Sequence, residues 1–123
     1  MSEFEGLQII DLSPVTVVAI GERYSNIDEL MVRELRNPLI EIGTTAVPPL
    51  VVIDLSHTKY FGSTFIEVLL RLNKALVSQD GGKLAFCGLS EYCREVFEIT
   101  KLSRLWEFYE TREDAVKALG SGT

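Results

Sequence analysis

Ser63 and Thr64 stand side by side after Gly62, directly ahead of an apolar run that reads as a helix. Hydroxyls at a helix start can do one of two jobs. A capping hydroxyl accepts a backbone N–H from the first turn. A phosphoacceptor instead carries an anion to the free N–H groups and the positive end of the helix dipole. Two local arrangements are open. In one, Ser63 is the N-cap and has no further role. In the other, Thr64 is the N-cap and Glu67 completes a Thr-x-x-Glu capping box, which leaves the Ser63 hydroxyl free at the lip of the loop.

The remaining residues with chemical potential do not assemble into an enzyme. His57 is the only histidine, and no second ligand or orienting carboxylate is matched to it by spacing, so it reads as a loop histidine. Cys87 and Cys93 lack the spacing and histidine partners of a zinc site and are too few for a disulfide framework. Core packing in a reducing cytoplasm is the expectation for both. No Gly-x-Gly-x-x-Gly or Gly-x-x-x-x-Gly-Lys-Ser/Thr loop occurs, since Gly82-Lys83 runs into Leu84. A phosphate-accepting receiver domain would need an aspartate at the end of its third strand, whereas Asp54 precedes Leu55 inside an apolar run. Asp54 is expected to bond nearby backbone, without catalysis. No catalytic residue, metal or cofactor is expected.

A phosphate on Ser63 would add about −1.5 to −2 charges at pH 7. The helix dipole returns only about 0.3–1 kcal/mol, and Glu67 opposes it. A fold can tolerate that, but an apolar partner surface cannot, because desolvating an unpaired dianion costs several kcal/mol. A switch at this position acts on binding. Of the two phenylalanines flanking Gly62-Ser63-Thr64, Phe65 aligns with Val68, Leu69, Leu72 and Leu76 as core. Phe61, in the loop, is expected as a partner-facing anchor.

The elements that must position these residues follow from length and pattern. A chain of 123 residues, 46% hydrophobic, fits one domain, residues 1–120 with a short tail at 121–123, and can bury roughly 65% of its unfolded surface. Twelve Lys and Arg against 18 Asp and Glu give a net charge of −6, with no basic cluster for nucleic acid or anionic membrane. No apolar stretch approaches the ~20 residues needed to span a bilayer, and no signal peptide pattern is present. Leu7–Leu12 and Val15–Ile20 read as a hairpin turned at Ser13-Pro14. Ser25 and Asp28 form a capping pair for a helix whose stripe runs from Ile27 to Ile42, with Pro38 expected to kink or split it. Leu50–Leu55 is a near-continuous apolar run, as in a strand covered on both faces. After the helix at 64–78, Gly81-Gly82 turns into a strand at Lys83–Cys87. Ser90 opens a third helix, Trp106–Tyr109 is a last strand, and Thr111 with Asp114 caps a final helix ending near Gly120. The order is ββαβαβαβα, with the hairpin supplying an antiparallel edge.

This layout, with Ile53-Asp54-Leu55-Ser56 followed by the Gly62-Ser63-Thr64 loop and an apolar helix, resembles the STAS domain. That is the domain of anti-sigma factor antagonists and of the cytoplasmic tails of sulfate transporters. The resemblance covers nearly the whole chain. It implies an α/β, STAS-like (SpoIIAA-like) fold with a mixed sheet and about four helices. Antagonists of the family typically carry Asp-Ser-Ser-Gly at this loop, and the first serine is phosphorylated by an anti-sigma factor that is itself a serine kinase. Carried over by position, that serine is Ser63, with Thr64 as the alternative acceptor. Gly62 stands where Asp is usual, Phe65 where Gly is usual, and Arg23-Tyr24 where a Leu-Asp pair often follows Gly21-Glu22.

The function this implies is a cytoplasmic, phosphorylation-regulated binding module. Unphosphorylated, it sequesters a serine-kinase anti-sigma factor, and a serine phosphatase restores it. The expected partner surface is Tyr24, Phe61, Gly62, Ser63, Thr64 and Glu67. A second reading is a constitutive STAS subunit of an ABC-type transporter or a signalling scaffold with no phospho-switch. Nucleic acid and membrane insertion are not expected, and the oligomeric state is not specified.

Overall fold

The computed structural model describes residues 6–121. A five-stranded sheet runs in the order β1-β2-β4-β6-β7, built from Leu7–Leu12, Val15–Ile20, Leu50–Asp54, Lys83–Cys87 and Glu107–Tyr109. The β1–β2 pair is antiparallel and the other three pairings are parallel. The expected hairpin therefore forms the antiparallel edge, and β4 sits at the centre. That position explains its sequence, since Val51, Val52 and Ile53 are all fully buried.

Alternation along the strands feeds two unequal cores. Val18, Ile20, Val51, Ile53, Leu84 and Phe86 face the larger one, where α1 (Glu29–Thr45), α2 (Ser63–Val77) and α3 (Glu91–Ile99) pack. Val15, Val17, Val52, Ala85 and Cys87 face the smaller one, which α4 (Arg112–Ser121) covers with Ala115 and Leu119.

Several boundaries move from their expected places. Asp28, and not Ser25, is the N-cap of α1, its carboxylate accepting from the Met31 N–H. Ile27 lies outside the helix because Asn26–Ile27 forms a short strand, β3, paired in parallel with β5, Tyr60–Phe61. The first helix is not split: it runs through Pro38, which is exposed, so solvent can take the bond that proline cannot donate. Gly120 is no left-handed cap. Helix α4 continues through it to Ser121, close against Pro14 and Val15, and residues 122 and 123 of the expected tail lie outside the described residues. The caps at Ser90 and Thr111 form as expected, on the N–H groups of Cys93 and Asp114.

Helices α1 and α2 pack directly on each other, and Gly43 is the reason they approach so closely. A Cβ at that position would lie 2.8 Å from the Ala75 Cβ and 3.0 Å from Leu72 Cδ1. Leu72 has no room to retreat, being fully buried, and the Ala75 Cβ is fixed to its own backbone. Gly43→Val is expected to cost about 1–3 kcal/mol through overpacking, and Ala75→Gly in the same chain should recover part of it. Urea unfolding checks this; an unchanged midpoint for Gly43→Val would contradict the close approach.

Candidate functional site

The loop from β4 to α2 is suspended by its neighbours. The N–H groups of Lys59 and Tyr60 both donate to the Ser25 carbonyl, at 2.8 and 3.1 Å, and the Gly62 N–H reaches the Ile27 carbonyl at 3.4 Å. The Thr58 hydroxyl donates to the Tyr24 carbonyl at 3.2 Å, and the Cys93 thiol to the Thr58 carbonyl at 3.8 Å. Below them the Phe61 ring lies 5.3 Å from both Phe65 and Phe97. Only 1% of Phe61 is exposed. The expected partner-facing anchor is thus a core residue, because β5 turns its alternate side chains in and out: Phe61 goes down and Tyr60 comes up, 42% exposed.

Neither capping arrangement open in the sequence is the one that forms. The N-cap of α2 is Gly62, and no side chain caps this helix. Ser63 is the first helical residue and Thr64 the second, so Glu67 is the fifth and completes no capping box. The β3–β5 ladder holds the chain extended as far as Phe61, and the Gly62 carbonyl then accepts from the Phe65 N–H at 3.2 Å. Ser63 is exposed, and its hydroxyl makes no hydrogen bond to the described residues. Thr64 is half-buried and Glu67 exposed. Gly62 has an extended backbone that any residue adopts, φ −103°, and an added Cβ would meet only the Tyr60 hydroxyl, 4.0 Å away. Glycine here therefore omits a side chain where one would fit.

Tyr24 is mostly buried, and its hydroxyl donates to Glu34 Oε1 at 2.9 Å. Arg23 grips the same carboxylate through Nε at 3.0 Å and Nη2 at 2.8 Å. Hydrogen bonds from Arg23 and then Tyr24 hold the Glu34 carboxyl below the usual carboxylate range. Burial, followed by the Glu34 carboxylate, pushes the Tyr24 phenol up. The Arg23-Tyr24 pair is thus committed to α1, which leaves Tyr24 little surface for a partner. His57 is half-buried, its Nδ1 3.9 Å from Glu22 Oε2.

At the end of β4, Asp54 Oδ1 accepts from the Ser56 N–H at 2.9 Å and the Ser56 hydroxyl at 2.5 Å. The expected backbone bond is there. The sequence reading missed Arg112, whose Nε and Nη2 both reach Asp54 Oδ2 at 3.0 Å across a separation of 58 residues. No local pattern announces such a pair. Also missed was the tilted contact of Tyr60 with Tyr92, with ring centroids 5.1 Å apart. Its signal was available: Cys93 and Phe97 define the buried stripe of α3, and Tyr92 is a large aromatic just off it. Cys87 and Cys93 are free and buried as expected. Burial, then the negative charge of Asp54, pushes the Cys87 thiol up to about 12. Among the described residues no cluster of three or more His, Cys, Asp or Glu side chains could hold a metal, and no helix is long and apolar enough to cross a membrane.

An antiparallel edge hairpin on a mixed sheet and a helix after the buried central strand are the fold that the sequence resemblance implied. The STAS domain family model matches residues 13–115. The chain belongs to the STAS domain family. Its sequence is 37% identical over 68 residues to BtrV of Bordetella bronchiseptica, which carries the name of an anti-sigma factor antagonist; the match takes in 55% of this chain and spans 58% of that relative's length. Among solved structures, an anti-sigma factor antagonist (STAS) domain protein of Planctomyces limnophilus superposes with a TM-score of 0.89 at 30% identity, covering 94% of this chain and 99% of that one. An anti-sigma factor antagonist of Mycobacterium paratuberculosis gives 0.77 at 25% identity, with 92% of each chain covered. Unphosphorylated SpoIIAA, at 14% identity, shares the fold, with a TM-score of 0.70 over 94% of this chain and 99% of its own. This STAS domain thus has the SpoIIAA-like fold.

The Asp54–Arg112 pair ties α4 to the strand that leads into the serine loop. Asp54 has a side chain only 9% exposed, so removing its cation leaves a carboxylate stranded. Arg112→Met is expected to destabilise by about 3 kcal/mol, the low end for a broken buried pair, because Arg112 itself is 28% exposed. It should also speed the labelling of Cys87, which lies beneath α4. Urea unfolding and iodoacetamide mass mapping test both; slow labelling equal to the parent protein would show that α4 does not depend on this clasp.

Proposed function

We propose that this STAS domain is an anti-sigma factor antagonist of the cytoplasm, a binding module that is switched by phosphorylation of Ser63. Unphosphorylated, it sequesters a serine-kinase anti-sigma factor. The kinase transfers the γ-phosphoryl of ATP to Ser63 Oγ: the Oγ–P bond forms, the bridging bond to ADP breaks and the hydroxyl proton is lost. A serine phosphatase hydrolyses the ester and restores the antagonist. Thr64, half-buried, is the lesser acceptor.

One observation carries this reading. The Ser63 hydroxyl opens α2 exposed and without a hydrogen bond among the described residues, while glycine occupies the N-cap. A hydroxyl spent on capping could be modified only at the cost of its helix bond, about 1 kcal/mol. Here no such cost arises. The added dianion meets the favourable end of the helix dipole, worth about 0.3–1 kcal/mol, so folding is nearly indifferent to it. A partner surface pressed onto Ser63 would have to desolvate that charge, at several kcal/mol, and each 1.4 kcal/mol is a tenfold loss of affinity. Membership of the family and the names borne by its relatives support the class of partner. The departures at 62 and 65 are compatible with the switch, since Phe65 serves the core and Gly62 adds no carboxylate beside the acceptor.

Intact-mass analysis after incubation with the serine-kinase anti-sigma factor and ATP should show one added phosphate, mapped to Ser63. Ser63→Asp should weaken the complex at least tenfold, while its melting temperature stays within about 4 °C of the parent, as for an exposed substitution. Ser63→Ala should bind like the parent and take no phosphate. Equal binding by Ser63→Asp and Ser63→Ala would exclude the switch and leave a constitutive subunit.

A further inference from the structure

We infer that the outer face of α3, headed by the contacting Tyr60–Tyr92 pair, is a docking surface for an arginine-bearing, basic face of the protein partner. It serves as a tether separate from the serine switch. The inference rests on the function proposed above in one respect only, the identity of that partner. Tyr60 and Tyr92 are 42% and 44% exposed, and their rings tilt by 37° against each other. Two tyrosines held together at the surface form a rigid, amphipathic platform of the kind that anchors interfaces at low entropic cost. The platform adjoins the switch: the Tyr60 hydroxyl overhangs Gly62, and the Ser90 hydroxyl that opens α3 reaches the Lys59 carbonyl at 3.5 Å.

The charge beside the platform selects the occupant. A surface groove along α3 is lined by Glu91, Tyr92, Arg94, Glu95 and Glu98. Glu91, Glu95 and Glu98 recur at helical spacing, so three carboxylates share one stripe beside the aromatic rings, with Arg94 the single cation. No ion pair occupies these carboxylates among the described residues. A guanidinium suits the combination, because it stacks on a tyrosine face and bonds a carboxylate with two parallel N–H groups. A lysine ammonium does only part of this. Glu91, Glu95 and Glu98 belong to α3 and Ser63 to α2, so the acidic stripe and the switch sit on different helices. The partner thus has one contact that phosphate disrupts and one that it does not.

Two arms test this. In the first, hexa-arginine peptide is titrated into isotope-labelled protein and followed by amide chemical shifts, with hexa-lysine alongside. The expected result is a set of shifts centred on residues 60 and 91–98, weaker with hexa-lysine and at least fivefold weaker for Tyr92→Ala and Glu95→Lys. Tyr92→Phe should keep the parent response, and thermal melts identify any variant that fails to fold. Shifts centred on another acidic region, or unchanged in both variants, would overturn the inference whatever the partner is. In the second arm, binding to the serine-kinase anti-sigma factor should fall about tenfold for Glu95→Lys, by the same factor in Ser63→Ala and Ser63→Asp backgrounds. Parent-like binding by Glu95→Lys removes the tether and leaves the Ser63 switch standing. Absence of phosphate transfer removes the switch, and the peptide arm still decides the tether.

Discussion

The placement of Phe61 is the constraint from which the site follows. Its ring is locked between Phe65 and Phe97 in the main core, and its backbone pairs with Ile27 in the small parallel ladder. Those two restraints hold the chain extended up to Gly62 and let the helix begin only at Ser63. Had the chain been free to tighten one residue later, Ser63 would fall at the N-cap and its hydroxyl would turn back to the helix. The exposure of the serine oxygen is therefore a consequence of burying the phenylalanine two residues before it.

That dependence explains what the sequence could and could not disclose. The hairpin, the central strand, the strand at Lys83–Cys87 and the caps at Ser90 and Thr111 each rest on a local rule: turn chemistry, an unbroken apolar run, a hydroxyl three residues before an N–H. All were legible. The β3–β5 ladder was not, because Asn26–Ile27 and Tyr60–Phe61 are strands of two residues, too short for any periodicity to register. Missing it displaced the start of α1 from Ser25 to Asp28, misplaced the cap of α2 and put Phe61 at the surface. One unseen ladder accounts for all three differences. The position of the serine in its loop was legible; whether its hydroxyl was engaged was not, since that depends on a contact with a segment more than thirty residues upstream.

The electrostatics around the serine divide into groups already committed and groups still available. Arg23 and Tyr24 both bond Glu34 of α1, and Arg112 is held by Asp54 behind the loop. Both cations are already engaged by carboxylates of this chain. The pair on α1 is more than one-third exposed and screened, so its contribution is to geometry more than to stability. A net charge of −6 on the whole chain then weighs further against retaining a phosphate in any contact that lacks cations of its own.

The two cores differ in what they ask of their helices. On the larger face, three helices interlock with an aromatic cluster of Phe61, Phe65, Phe86, Phe97 and Trp106, and removing any one would open the others. On the smaller face a single helix contributes two buried side chains, alanine and leucine, so apolar burial alone holds it weakly. The ion pair at its first residue supplies the missing attachment, and it does so at the very strand end from which the serine loop departs. A loop anchored at one end by a buried carboxylate, and at the other by a buried ring, has little freedom to reshape when charge is added at its tip. That rigidity is what directs the effect of a modification outward, toward whatever rests on the surface.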